Sequence, residues 1–171
     1  VGVGAKCVGI ALLVVRESAR VGRGPMVKGG LEQRVHAVNW GAFDGLVVAM
    51  PPGTGDGHLA IGQRVPLAGA VIVSTPQELA VLDAKRSINM IKKMNLKVFG
   101  VIENFSGGMF GTGGGQALAE EMDLPFLGSI EMRAEYNNSK LPASLESDEI
   151  AAEYAGITEK LKARIAAEKA D

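Results

Sequence analysis

Apolar, β-branched runs alternate with helical patterns along almost the whole of this chain. Residues 7–15 (CVGIALLVV) read as a strand buried on both faces, and a polar loop follows at 16–24. Pro25 stands where proline favours a first helical turn, which predicts a helix to about residue 38. A second strand is expected at 46–50 (LVVAM), a short helix at 58–65, and a third strand at 68–75 (AGAVIVST). Pro76 ends that strand, and a helix is expected over 77–94. Its Val81, Ala84, Ile88 and Ile91 fall three and four apart and make one apolar stripe. A fourth buried strand at 98–102 (VFGVI) runs on to a terminus at Asn104. A short helix at 113–122 and a fifth strand at 126–130 (FLGSI) follow. The closing segment 148–169 carries Ile150, Tyr154, Ile157, Leu161 and Ile165 on one helical face, weakened by Gly156. Residues 131–147 read as the one mobile loop.

Fully apolar strands separated by helices predict βαβ units. The expected fold is α/β, a mostly parallel sheet flanked by helices on both faces, with residues 1–171 as a single domain. Hydrophobic content of 47%, charged content of 22% and a net charge of −1 are globular values and argue against disorder. Near-neutral charge gives no case for a nucleic-acid partner. No apolar run reaches the roughly 20 residues of a membrane span. The single cysteine, Cys7, excludes an internal disulfide and reads as a buried thiol in an intracellular reducing compartment. A first residue of Val rather than Met reads as a processed product or a fragment.

The richest chemistry lies in residues 50–56, MPPGTGD, directly after the second expected strand. Ligands of open α/β folds bind at the carboxyl edge of the strands, where this turn is expected. Pro51 and Pro52 stiffen the turn and donate no hydrogen bond, whereas Gly53 and Gly55 let the main chain approach a bound group. Thr54 adds a hydroxyl. Asp56 is the candidate catalytic residue, a carboxylate able to orient a metal-bound water. The alternative is a rigid turn with Asp56 as a helix N-cap.

No Gly-Lys dipeptide occurs, so a phosphate loop of the Gly-Lys-Ser/Thr kind is not found in this sequence. Gly111-Thr112-Gly113-Gly114-Gly115 misses the dinucleotide spacing by one residue. It reads either as an anion site at a helix N-terminus or as a flexible start to the helix. His36 and His58 have no serine or cysteine arranged beside them as a nucleophile. Asp83 and Arg86 are expected to pair on a helix surface, and Glu120, Glu121 and residues 146–149 to be solvated. Asn104 ends a buried strand at the same sheet edge as the Pro-Pro-Gly turn. Its amide can both donate to and accept from a purine edge, or else it simply forms a turn.

Taken together, MPPGTGD, QRVPLAGAVIVSTPQELAVLDAKRSINM, VFGVIENFS, FGTGGGQALAEEM and LPFLGSI resemble the Mrp/ApbC-type iron–sulfur cluster carriers. These are ATP-binding members of the deviant P-loop ATPases related to MinD and ParA. The similarity runs from about residue 7 to 130. It implies a parallel sheet, an ATP–Mg2+ site, a homodimer or larger assembly, and delivery of an iron–sulfur cluster to client apo-proteins. It also implies the cytoplasm, or a mitochondrial or plastid matrix. By the same resemblance Pro51, Pro52, Gly53, Thr54, Gly55 and Asp56 form the switch loop near the terminal phosphate. Asn104 contacts the adenine, and Pro125 lies in the adjacent loop.

The departures shape the expectation. The resemblance places the two-lysine phosphate loop, and the next segment with its metal-associated Asp, upstream of Val1. It places the Walker B Asp at Ala49, and a Cys-x-x-Cys pair between Ser106 and Phe110, where this chain has Gly107-Gly108-Met109. Losing the lysine removes charge-assisted hydrogen bonds to phosphate, losing the Asp removes the magnesium anchor, and losing the thiolates removes the cluster site. Losing interior strands would also leave backbone groups unpaired. Either a longer chain, a partner chain or re-paired strands must then complete the sheet. The leading expectation is a truncated or degenerate carrier homologue, acting as a catalytically impaired scaffold or assembly subunit. The alternatives are an active carrier whose Walker A region lies outside this sequence, and a MinD/ParA-type positioning ATPase.

Overall fold

Ala70–Ser74 forms β1, and its parallel pairing to β2, Val98–Ser106, opens the architecture. The computed structural model describes residues 39, 41–42, 44–50, 62, 65–138 and 141–170. The chain divides into two units, Val1–Pro66 and Leu67–Asp171. In the first, the residues expected as the second strand, 46–50, belong to no strand, and Val47 is 94% exposed. An apolar run becomes a strand only where a neighbour takes up its backbone groups, and among the described residues none does so here. The strand expected at 7–15 and the helices expected at 25–38 and 58–65 lie outside the described residues, or almost wholly so.

The second unit follows the apolar periodicity closely. Between β1 and β2 lies α1, Glu78–Lys93, with Glu78 in its first turn and Lys92 and Lys93 in its last, each complementing the helix dipole. Asn95 closes the helix at φ 55°. Its N–H reaches the Lys92 carbonyl at 3.1 Å, and that of Leu96 reaches Ile91 at 3.2 Å, the paired bonds of a Schellman stop. Helix α2, Gly114–Glu121, ends the same way through Asp123 and Leu124. Strand β3, Phe126–Glu131, pairs parallel to β2, giving the order β1-β2-β3. The stretch expected as a mobile loop holds a one-turn helix α3, Glu135–Asn138, and a 3-10 turn, Ala143–Leu145. Helix α4, Asp148–Ala170, closes the unit. Among the described residues no helix is long and apolar enough to cross a membrane.

Both faces of the sheet are covered. Ile72, Val98 and Val101 pack with Ala84 and Ile88 of α1 and Leu118 and Ala119 of α2. On the opposite face Leu127 and Ile130 pack with Ile157 of α4, joined by Val71, Ile102 and Leu161. The stripe Val81, Ala84, Ile88 and Ile91 of α1 is therefore the buried one. On α4, Ile150 and Ile157 are buried, but Tyr154 turns partly to solvent. Gly100 matters to the packing of β2 on β3. A Cβ there would stand 2.6 Å from the Pro125 carbonyl oxygen, which accepts the Val101 N–H at 2.9 Å.

Candidate functional site

The carboxyl rim of β2 is built around Glu103. The strand does not end at Asn104 but continues to Ser106, with a shift in its register to β3 between Glu103 and Ser106. Glu103 pairs with Ser129 and Ser106 with Glu131, so Asn104 and Phe105 form a bulge. Phe105 adopts φ 55°, a left-handed conformation costly for an aromatic residue. Glu103 is 1% exposed and directly follows the apolar run 98–102 of the strand. Its Oε1 accepts the Ser106 hydroxyl at 2.7 Å and the Gly113 N–H at 3.0 Å, and its Oε2 accepts the Gly115 N–H at 2.6 Å. Three donors, two of them orphan amides at the start of α2, compensate the buried carboxylate.

This arrangement settles the glycine-rich segment. Gly113 is left-handed at φ 91°, and α2 has no side-chain cap of its own. Its amide-rich N-terminus does hold an anion, the protein's own Glu103 carboxylate from the neighbouring strand. The start of α2 is thus pinned rather than flexible. A Cβ on Gly115 would lie 2.8 Å from the Glu103 Cβ, so only glycine lets the carboxylate come this close. Nothing local announced Glu103. The one signal was an acidic residue directly after an apolar run, ten positions before a glycine cluster.

Asn104 is half-buried in the bulge, and among the described residues its side-chain amide takes no hydrogen-bond partner. Phe105 and Phe110 stack obliquely with ring centroids 6.4 Å apart, and Met109 is 88% exposed. Pro125 does not join Asn104. It precedes Phe126, the partner of Val101, and so lies about 13 Å of strand below the bulge. The two are at opposite ends of the β2–β3 pair, because a residue before a parallel strand lies at the rim opposite its neighbour's carboxyl end. Pro51, Pro52, Gly53, Thr54, Gly55 and Asp56 lie outside the described residues, as do Cys7, His36 and His58.

Beside the bulge, the Met132 N–H donates to the Ser106 carbonyl at 3.0 Å and carries the chain past the rim. Arg133 then donates through Nη2 to Glu153 at 2.6 Å, Glu131 at 2.8 Å and Glu149 at 3.0 Å. Glu149 is solvent-exposed, as expected, and from that surface position it also pairs with Arg133 between β3 and α4. These carboxylates, the Glu153 hydrogen bond above all, hold the Arg133 guanidinium even above its ordinary range. The expected surface pair is present, with Arg86 donating to Asp83 at 2.9 Å, and Glu121 pairs with Lys85. Among the described residues no three His, Cys, Asp or Glu side chains gather to hold a metal ion.

Tyr136, one turn beyond Arg133, is pushed up to about 12, chiefly by burial and further by neighbouring Tyr154. An unfolded tyrosine releases its proton near 10, so between pH 10 and 12 the unfolded chain binds fewer protons than the folded one. Stability therefore falls as pH rises through that window. Tyr136→Phe is expected to flatten this alkaline limb and leave stability at pH 7 nearly unchanged. Urea midpoints measured from pH 7 to 11.5 check it, and an unaltered alkaline limb would count against the burial of the phenol.

A parallel sheet covered on both faces, with a polar rim at the carboxyl end of β2, makes this an α/β protein. A family model described as NUBPL iron-transfer P-loop NTPase matches residues 2–163, and the chain belongs to that family. It is 41% identical over 140 residues to the iron–sulfur cluster carrier protein of Synechocystis, covering 75% of this chain and 40% of that protein. With the mouse iron–sulfur cluster transfer protein NUBPL it shares 40% identity over 139 residues, 75% of this chain and 44% of the other. The chain spans about half the length of the curated relatives it matches. Among solved structures it is similar to a nucleotide-binding protein of Archaeoglobus fulgidus in complex with ADP. That match has a TM-score of 0.56 and 32% identity, covering 64% of this chain and 49% of the other.

Proposed function

We propose that this protein is a nucleotide-binding scaffold or assembly subunit of the iron–sulfur carrier family that does not itself hold a cluster in the β2–α2 loop. The observation that carries the reading is the closure of that loop. Between Ser106 and Gly113 the chain has only Gly107, Gly108, Met109, Phe110, Gly111 and Thr112, with both ends tied to one buried carboxylate. The family resemblance puts a cysteine pair in this segment, and no thiolate is available there. Ala49, where the resemblance puts the Walker B Asp, further supports impaired ATP hydrolysis.

The residue that fits a nucleotide is Asn104, whose unpartnered amide at the rim matches the donor and acceptor of an adenine edge. By the family resemblance, Pro51, Pro52, Gly53, Thr54, Gly55 and Asp56 would serve the terminal phosphate of a bound nucleotide, Asp56 as the carboxylate that would orient a water. This chain's own part is to hold and orient the base. The partners are client apo-proteins or a second copy, in the cytoplasm or an organelle matrix. A second reading, an active carrier, is favoured by the relatives at about 40% identity that bear the names of iron–sulfur cluster carrier or transfer proteins.

Anaerobic reconstitution of the full-length protein with ferrous iron and sulfide separates the two. The scaffold reading expects less than about 0.1 iron per protein after desalting and no charge-transfer absorption near 400 nm. A stable cluster that passes to an apo-ferredoxin would establish the carrier reading instead.

A further inference from the structure

We propose that Glu103 is a positioning residue for nucleotide recognition: it holds the β2 bulge in the one conformation that aims the Asn104 amide at an adenine edge. This rests on the reading of Asn104 as the base contact. The geometry of the turn carries it. The Glu103 carboxylate accepts the Ser106 hydroxyl at 2.7 Å, closing a ring across the two residues between them, Asn104 and Phe105. Phe105 sits at φ 55°, which an aromatic residue leaves unless its surroundings enforce it. The same carboxylate is held from the other side by the Gly113 and Gly115 amides at 3.0 and 2.6 Å. The bulge is therefore fastened to the first turn of α2, which itself packs on the sheet through Leu118 and Ala119.

Bulges re-aim side chains, and this one turns Asn104 out of regular pairing with β3. Among the described residues its amide thereby takes no hydrogen-bond partner, while both carboxylate oxygens of its neighbour Glu103 are engaged inward. An asparagine amide matches adenine, which offers one donor and one acceptor side by side, better than guanine, which offers two acceptors on that edge. Aim matters, because a paired hydrogen bond tolerates little angular error. Glu103 thus acts on base choice without touching the base.

The test uses the full-length protein and fluorescent mant-ADP and mant-GDP in equilibrium titrations. Asn104→Ala is expected to weaken mant-ADP about tenfold and to leave mant-GDP almost unchanged. Glu103→Gln keeps the volume but puts an amide donor against Gly113 or Ser106. It is expected to weaken mant-ADP about fivefold, again with little effect on mant-GDP. Added to Asn104→Ala, Glu103→Gln is expected to cost nothing further, because its effect runs through the amide already removed. Ser106→Ala, which removes only the hydroxyl donor, shifts binding in the same sense by a smaller factor. It keeps the test open if Glu103→Gln does not fold.

Equal weakening of both nucleotides, or a Glu103→Gln loss that persists undiminished beside Asn104→Ala, marks a merely structural glutamate and overturns the proposal. If Asn104→Ala alone leaves mant-ADP unchanged, or the wild type binds neither nucleotide, the base-contact reading fails first and the positioning role falls with it.

Discussion

Gly114→Ala is expected to destabilise the protein by about 3 kcal/mol, a large effect for a single methyl group. A Cβ at this position would stand 2.4 Å from the Pro76 carbonyl oxygen and 2.9 Å from the Pro76 carbonyl carbon and Cα. All three are backbone atoms of the segment leading into α1, so relief requires moving a helix rather than a side-chain tip. Displacing the first turn of α2 also pulls the Gly113 and Gly115 amides away from Glu103 and strands a buried carboxylate. Gly156→Ala is the control. Nothing lies within 4 Å of a Cβ there, and the helical site of α4 favours alanine by about 0.5–1 kcal/mol. Urea unfolding of the two variants is expected to move the midpoint in opposite directions. A Gly114→Ala midpoint equal to wild type would mean that α2 does not approach Pro76 this closely.

Ile88→Ala is expected to cost about 3–4 kcal/mol. Ile88 is fully buried in the middle of α1, packed with Ala84 and facing Ile72, Val98 and Val101 of the sheet and Leu118 of α2. Truncation leaves a cavity where two helices and two strands meet, and no neighbour can collapse into it without shifting a strand. Leu82, on the same helix, is 44% exposed, and Leu82→Ala is expected to cost under about 1 kcal/mol. The contrast checks which stripe of α1 faces the sheet. Similar costs for the two substitutions would mean that the helix is rotated from the orientation described.

The stripe itself was legible from residue spacing. Val81, Ala84, Ile88 and Ile91 recur at helical intervals, and the helix they predict matches the observed one to within a residue at each end. The strands around Val71, Val101 and Leu127 were legible for the same reason, since their apolar runs record burial on both faces. The quoted motifs carried the family resemblance, and a family model now matches residues 2–163. Residues 46–50 form no strand among the described residues, because five apolar residues encode a propensity, while a strand also needs a partner for its backbone.

The rim was less legible. Asn104 was noticed for its chemistry, but its place in a bulge depends on the register of β2 against β3, which has no local signature. Pro125 was placed in the adjacent loop by the family resemblance, whereas parallel pairing puts it and Asn104 at opposite ends of adjacent strands. Arg133 gathers Glu131, Glu149 and Glu153 from β3 and α4, and residues up to 20 apart meet only once α4 lies on the sheet. Glu103 was passed over altogether, because its donors Gly113 and Gly115 are supplied by a helix that begins after the loop.

What the amino-acid sequence determined by itself is the set of elements and their buried faces. Periods of two and 3.6 residues are properties of neighbouring positions, and the hydrophobic effect acts on each element's own surface. Tertiary structure alone decided where the polar groups point and which of them meet. A hydrogen bond is directional and short, and whether Glu103 reaches the start of α2 depends on crossing distances and strand register that no local stretch of sequence contains.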